Sequence, residues 1–204
     1  MTTLRLDLRE SATRQSLLDQ LSDALGPQRA NAVAQAAAAC GVPDVMHHHP
    51  ADVYRTITTL QVSEKVKSDM TAIYETLTAA EAKVHEKPID QVHFHEVGRA
   101  AGIRNVAAIC LAFEVLGADE VISTPVQAGK GTIHIAHGEM PIPAPATAVI
   151  LDGGIPTCEE RLEGERCTPT SVAVIKHFVT RFEGAAVNRI YFQGPVPESP
   201  HHHH

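Results

Sequence analysis

Between Ser63 and Pro88 the apolar residues Val66, Met70, Ile73, Tyr74, Leu77 and Val84 recur at close to every 3.6 residues. That spacing predicts a long amphipathic helix, capped by Ser63 and ended by Pro88. The face it buries must meet aliphatic side chains, because aromatics are only 4% of the chain and Trp is absent. Ala, Val, Ile and Leu therefore build the core, and 204 residues at 44% hydrophobic content are enough for a real one.

Shorter elements flank this helix. Leu4 to Asp7 reads as a first strand. Leu17, Leu18, Leu21 and Leu25 share one helical stripe that Gly26-Pro27 stops, and an Ala-rich helix runs from about Gln28 to Cys40. Met46-His47-His48-His49-Pro50 is a loop before a short helix at 51–59. Gln91 to Gly98 alternates as a strand would, a helix fits 100–116, and Glu120 to Pro125 reads as a further strand. Strand, helix and strand of these lengths suggest a βαβ unit with parallel pairing. A strand at 132–136 and helices near 146–152 and 171–181 complete the reading, with the Pro-rich stretch 140–145 as ordered loop. The expected fold is α/β: a helix-rich N-terminal half, then a βαβ unit and a small, mostly parallel sheet with flanking helices. Residues 1–188 are read as one domain. Residues 189–204 are read as a tail: Tyr191-Phe192-Gln193-Gly194 resembles a protease-site remnant, and His201 to His204 resemble part of a purification tag.

Charge and cysteines narrow the function. A net charge of -7 argues against a general nucleic-acid binder, which needs excess Lys and Arg. Cys40, Cys110, Cys158 and Cys167 form no C-x-x-C pair, which reads as a reduced, cytoplasmic chain. No signal peptide is read at the charged start, and the apolar stretch 106–115 is too short to span a bilayer.

The histidines carry the sharpest chemical signal. On a strand, His93 and His95 would face the same way, with Glu96 just after them beside a Gly turn and a helix start. Imidazole and carboxylate donors suit zinc, copper or nickel. The same residues would equally suit a half-exposed sheet face. His134 and His137 are three apart, so on a strand they need not converge, although His137 at a strand end can reach a cleft. The loop histidines 47–49 read as a solvated cluster or a soft-metal site. His85 ends the long helix, one turn after Glu81, which can pair with it. Arg99 and Arg104 flank a helix start, where backbone amides attract anions. Gly129-Lys130-Gly131 lacks the full spacing of a phosphate loop.

In order and spacing, four segments resemble the LarC family of nickel-insertion proteins. They are His47-His48-His49-Pro50-Ala51-Asp52-Val53; Glu81-Ala82-Lys83-Val84-His85 with Val92-His93-Phe94-His95-Glu96-Val97-Gly98; His137-Gly138 with Pro141-Ile142-Pro143-Ala144-Pro145-Ala146-Thr147; and Gly164-Glu165 with Thr168-Pro169-Thr170. The resemblance covers about residues 47–182. It implies nickel insertion into a pyridinium bis-thiocarboxylate mononucleotide, with nickel as the metal and CTP with a divalent cation as a co-substrate. By the same resemblance His93, His95, Glu96, His137 and His85 are expected at the metal. Glu96 and His95 are expected to be catalytic, and Arg99, Arg104 and Thr170 to face the substrate phosphate.

Several positions depart from the family pattern. Ala101 and Asn105 replace acidic residues, Ser11 to Ser16 replace a Gly-rich loop, and Ser171 replaces the Gly of T-P-T-G. Two readings follow, a nickel-insertion enzyme and a non-catalytic nickel- or nucleotide-binding module acting with a complete homologue. A separate C-terminal family domain and a second copy of the chain are the candidate protein partners. A zinc hydrolase with Glu96 as base is a third reading.

Overall fold

A computed structural model describes residues 1–136 and 138–184. Two helices organise the core. Helix α4 (Glu64–His85) starts where Ser63 accepts a hydrogen bond from the Val66 amide at 3.1 Å. It buries Val66, Met70, Ile73, Tyr74, Leu77 and Val84, the stripe that its sequence predicts. The helix stops at His85, before Pro88, with Glu86 in a left-handed conformation (φ 50°) as its cap. Helix α5 (Ala100–Leu116) is buried on nearly every side, through Ile103, Val106, Ala107, Ile109, Cys110, Leu111, Ala112 and Phe113.

The other helices pack around this pair. Helices α1 (Arg14–Leu25) and α2 (Pro27–Ala38) lie against α5, and α3 (Pro50–Thr59) lies against α4. Thr13 caps α1, and Gly26, at φ 83°, lets the chain turn directly into α2, which Pro27 begins. Helices α6 (Pro145–Leu151) and α7 (Pro169–Phe178) pack on α4 and on each other. A polar tie joins α7 to α4: His177 Nε2 lies 2.8 Å from Asp69 Oδ1, and Lys65 Nζ lies 3.1 Å from Asp69 Oδ2. No helix among the described residues is long and apolar enough to cross a membrane.

Strands β1 (Thr3–Leu6), β2 (Glu120–Ser123) and β5 (Arg181–Phe182) form a parallel sheet in the order β1-β2-β5. Leu4 faces Val121 and Ile122 faces Arg181 across it. Strands β3 (Thr132–Ile135) and β4 (Gly138–Pro141) form an exposed antiparallel hairpin. β4 claims part of the Pro-rich stretch expected as loop, and it does so on a two-stranded ribbon where Pro141 is tolerated.

The mixed α/β class is the one expected, but one element differs. Residues 92–94 make no sheet ladder, His95 lies in a bend, and 96–98 form a single 3-10 turn. The parallel partners of β2 are β1 and β5, so the strand expected at 91–98 has no place beside it and the N-terminal strand takes that side. The alternation that suggested a strand is nevertheless real: Val92 and Phe94 are buried, and His93 and His95 are half-exposed.

Candidate metal and anion site at the start of helix α5

Main-chain hydrogen bonds join the loop 46–49 to the segment 92–98. The His47 amide donates to the Gly98 carbonyl at 2.8 Å, and the Phe94 amide donates to the His48 carbonyl at 2.6 Å. Gly98 is required by this contact, because a Cβ there would lie 1.8 Å from the His47 carbonyl oxygen. Below the segment, Phe94 packs near Tyr74, with ring centroids 6.2 Å apart. The Tyr74 hydroxyl donates to the Val97 carbonyl at 3.3 Å. Burial pushes the Tyr74 phenol up, so it stays a neutral donor.

This packing presents the histidines. His49 and His93, from loops far apart in sequence, touch edge to face with centroids 4.7 Å apart at 62°. His47 is buried, and its Nε2 lies 3.0 Å from Thr56 Oγ1. Nδ1 of His47 and Nδ1 of His48 are buried without a hydrogen-bond partner among the described residues. His95 is half-exposed beside His93. His85 sits 3.4 Å from Glu81, the helical pairing its sequence implies. His137 lies outside the described residues. Among the described residues, no group of three or more His, Cys, Asp and Glu side chains converges on one point.

Glu96 and Arg99 face each other in a two-pronged pair at 3.0 and 3.1 Å, both largely exposed. Such a pair is held weakly in water and can open for a ligand. No side chain caps the start of α5, so its first-turn amides are available to an anion beside Arg99. Arg104 lies 3.8 Å from Asp44. Arg14, in the first turn of α1, also reaches this point: a Cβ on Gly102 would lie 3.3 Å from its guanidinium. Its sequence carried no signal of that proximity, which depends on how α1 packs against α5. Thr170 belongs to a different element, buried in the first turn of α7. Ser171, where the family pattern has Gly, closes a capping box with Thr168, with bonds of 2.9 and 3.2 Å. Ala101 is exposed, Asn105 is half-buried, and no acidic residue occupies the first turn of α5.

A family model described as "Nickel insertion protein" matches residues 10–193. Curated relatives include the pyridinium-3,5-bisthiocarboxylic acid mononucleotide nickel insertion proteins of Staphylococcus saprophyticus and Geobacillus kaustophilus. The first is 44% identical over 136 residues, covering 66% of this chain and 34% of the relative. The second is 39% identical over 136 residues, covering 67% and 33%. The protein of the same name from Desulfitobacterium hafniense is 36% identical over 137 residues, covering 67% and 34%. The chain thus spans about a third of the length of these relatives. No solved structure matches it. With a family match over most of its length, and with V-H-F-H-E-V-G folded onto the loop histidines, this chain belongs to the nickel insertion protein family.

Proposed function

We propose that this chain takes up nickel at the 47–49 and 92–98 segments and inserts it into a pyridinium bis-thiocarboxylate mononucleotide. The observation that carries this reading is the union of two histidine-bearing motifs by main-chain hydrogen bonds at the start of α5. Nickel is the cargo, held by His93, His95 and Glu96, with His85 and His137 assisting. Imidazole and carboxylate are donors that nickel accepts and can exchange for sulfur. The substrate phosphate docks on the uncapped amides of α5, with Arg99 and Arg104 supplying charge and Thr170 a hydroxyl. Opening the Glu96–Arg99 pair frees the carboxylate for the metal and the guanidinium for the phosphate in one movement. His95 and Glu96 then move protons as the donors change. In this reading CTP with a divalent cation is the co-substrate, and the reaction takes place in the cytoplasm.

A second reading is a binding module that supplies nickel or nucleotide to a complete homologue. The exposed Ala101 and the absence of a carboxylate in the first turn of α5 favour it. Turnover separates the two. The purified chain is mixed with the precursor mononucleotide, nickel and CTP, and the product is sought by mass spectrometry. Nickel-loaded product from the chain alone supports insertion. Binding of nickel or precursor with no product, restored by adding a complete family member, supports the module and overturns insertion by this chain alone.

A further inference from the structure

The imidazoles of His49 and His93, in edge-to-face contact, lie at a separation that one ion could also span. With a metal–nitrogen bond of about 2.1 Å and a ring centre about 1.1 Å beyond, two imidazoles on one ion have centres about 4.5–5.2 Å apart for ligand angles of about 90–110°. The observed separation is 4.7 Å. The rings are brought together by the backbone, through the His47–Gly98 and Phe94–His48 hydrogen bonds and the tight approach at Gly98. The pair is therefore formed before any ligand arrives, and little ordering remains when one binds.

Three further features fit a metal ligand better than a packing residue. His49 is exposed and, although it occupies the N-cap of α3, its side chain makes no capping hydrogen bond. Its neighbour His48 keeps Nδ1 without a hydrogen-bond partner among the described residues, a donor atom that the fold does not use. Two imidazoles alone leave most positions of a divalent ion open at entry, for His95 and Glu96 and then for the substrate's sulfur donors to take, which suits a site that must give the ion up.

We propose that His49 and His93 together form the chelate through which nickel enters this protein, a two-imidazole site that holds the divalent ion before it passes to the substrate. This rests on the reading of the chain as a nickel-inserting protein, and it adds His49, from the loop before α3, to the metal-handling residues.

The test is nickel calorimetry on the chain lacking only His201 to His204, with His49→Ala, His93→Ala and the double variant. Circular dichroism melts confirm that each variant is folded. The expected result is that each single variant weakens nickel binding by about tenfold or more. The double variant should then lose less than the sum of the two single losses, because removing either ring already breaks the chelate. Copper(II) used as a spectroscopic probe should show nitrogen couplings that diminish in each single variant. If His49→Ala binds nickel like the parent while His93→Ala does not, the chelate is overturned and the nickel reading survives. If the two losses are additive, or each single variant loses one of two bound ions, the rings act independently and the chelate is again overturned. If the parent itself binds no nickel, both the chelate and the reading beneath it fail.

Discussion

At Gly98 no side chain can be added without moving a backbone. A Cβ there would lie 1.8 Å from the His47 carbonyl oxygen. Gly98→Ala should therefore cost about 2–4 kcal/mol in urea unfolding, because it parts two main-chain segments. It should also weaken nickel binding without touching a ligand. Unchanged stability would show that the two loops do not depend on this contact. The sequence marks Gly98 as a turn residue, but its partner stands some fifty residues earlier and no local pattern reveals it. For the same reason His49 is readable as a candidate ligand, but its contact with His93 is not. His85 lies at the other extreme: its partner Glu81 is one helical turn away, and the spacing alone identifies the pair. The cysteines allow a separate check. All four are free thiols, and only Cys158 is partly exposed. Burial pushes the Cys167 thiol up to about 12 and the Cys110 thiol well above its ordinary value. Iodoacetamide on the native protein should label Cys158 first, and the other three only after unfolding, as read by peptide mass spectrometry. Early labelling of Cys110 or Cys167 would contradict the packing of α5 and of the loop before α7.

The helices were the most legible elements, because their stripes and caps are local. The α4 stripe, the Ser63 cap and the span of α5 follow directly from residue spacing and Gly or Pro stops. Residues 91–97 were less legible: alternation reports which side chains point inward but cannot report whether a neighbouring strand exists. Here Val92 and Phe94 are buried, Phe94 packs near Tyr74 of α4, and the backbone pairs with a loop instead. The two-residue strand β5 is too short to leave a pattern. Beyond β2, one buried side chain organises the loops. Gln127 donates to the carbonyls of Arg9 and Glu160 and accepts from the amides of Gly129 and Leu162, each at 3.0 Å. Gln127→Leu would strand those groups and should cost about 3 kcal/mol or more in chemical unfolding. A loss below about 1 kcal/mol would mean that water replaces the amide. At α7, Ser171→Gly removes one half of a capping box and should lower stability by about 1 kcal/mol. No change would indicate that the first turn of α7 is held by packing alone.

For the molecule as a whole, a helical core around α4 and α5 supports a small parallel sheet on one side and two histidine-bearing loops at the start of α5. His93, His95 and Glu96, the residues proposed to handle nickel, lie on a segment anchored by buried Val92 and Phe94 and by the Tyr74 hydrogen bond to the Val97 carbonyl. Arg99 and the open amides of α5 lie immediately downstream. The chain spans about a third of the length of its curated relatives, and under the proposed function metal capture can be measured apart from insertion. Metal capture is required by the insertion reading and by the form of the module reading that supplies nickel. The most direct test of it is the nickel content and affinity of the chain without its terminal histidines, beside a His93→Ala/His95→Ala double variant of confirmed fold. The expected result is one nickel ion bound per chain and its loss in the double variant. A parent chain that binds no nickel, or a double variant that binds it unchanged, would contradict the account.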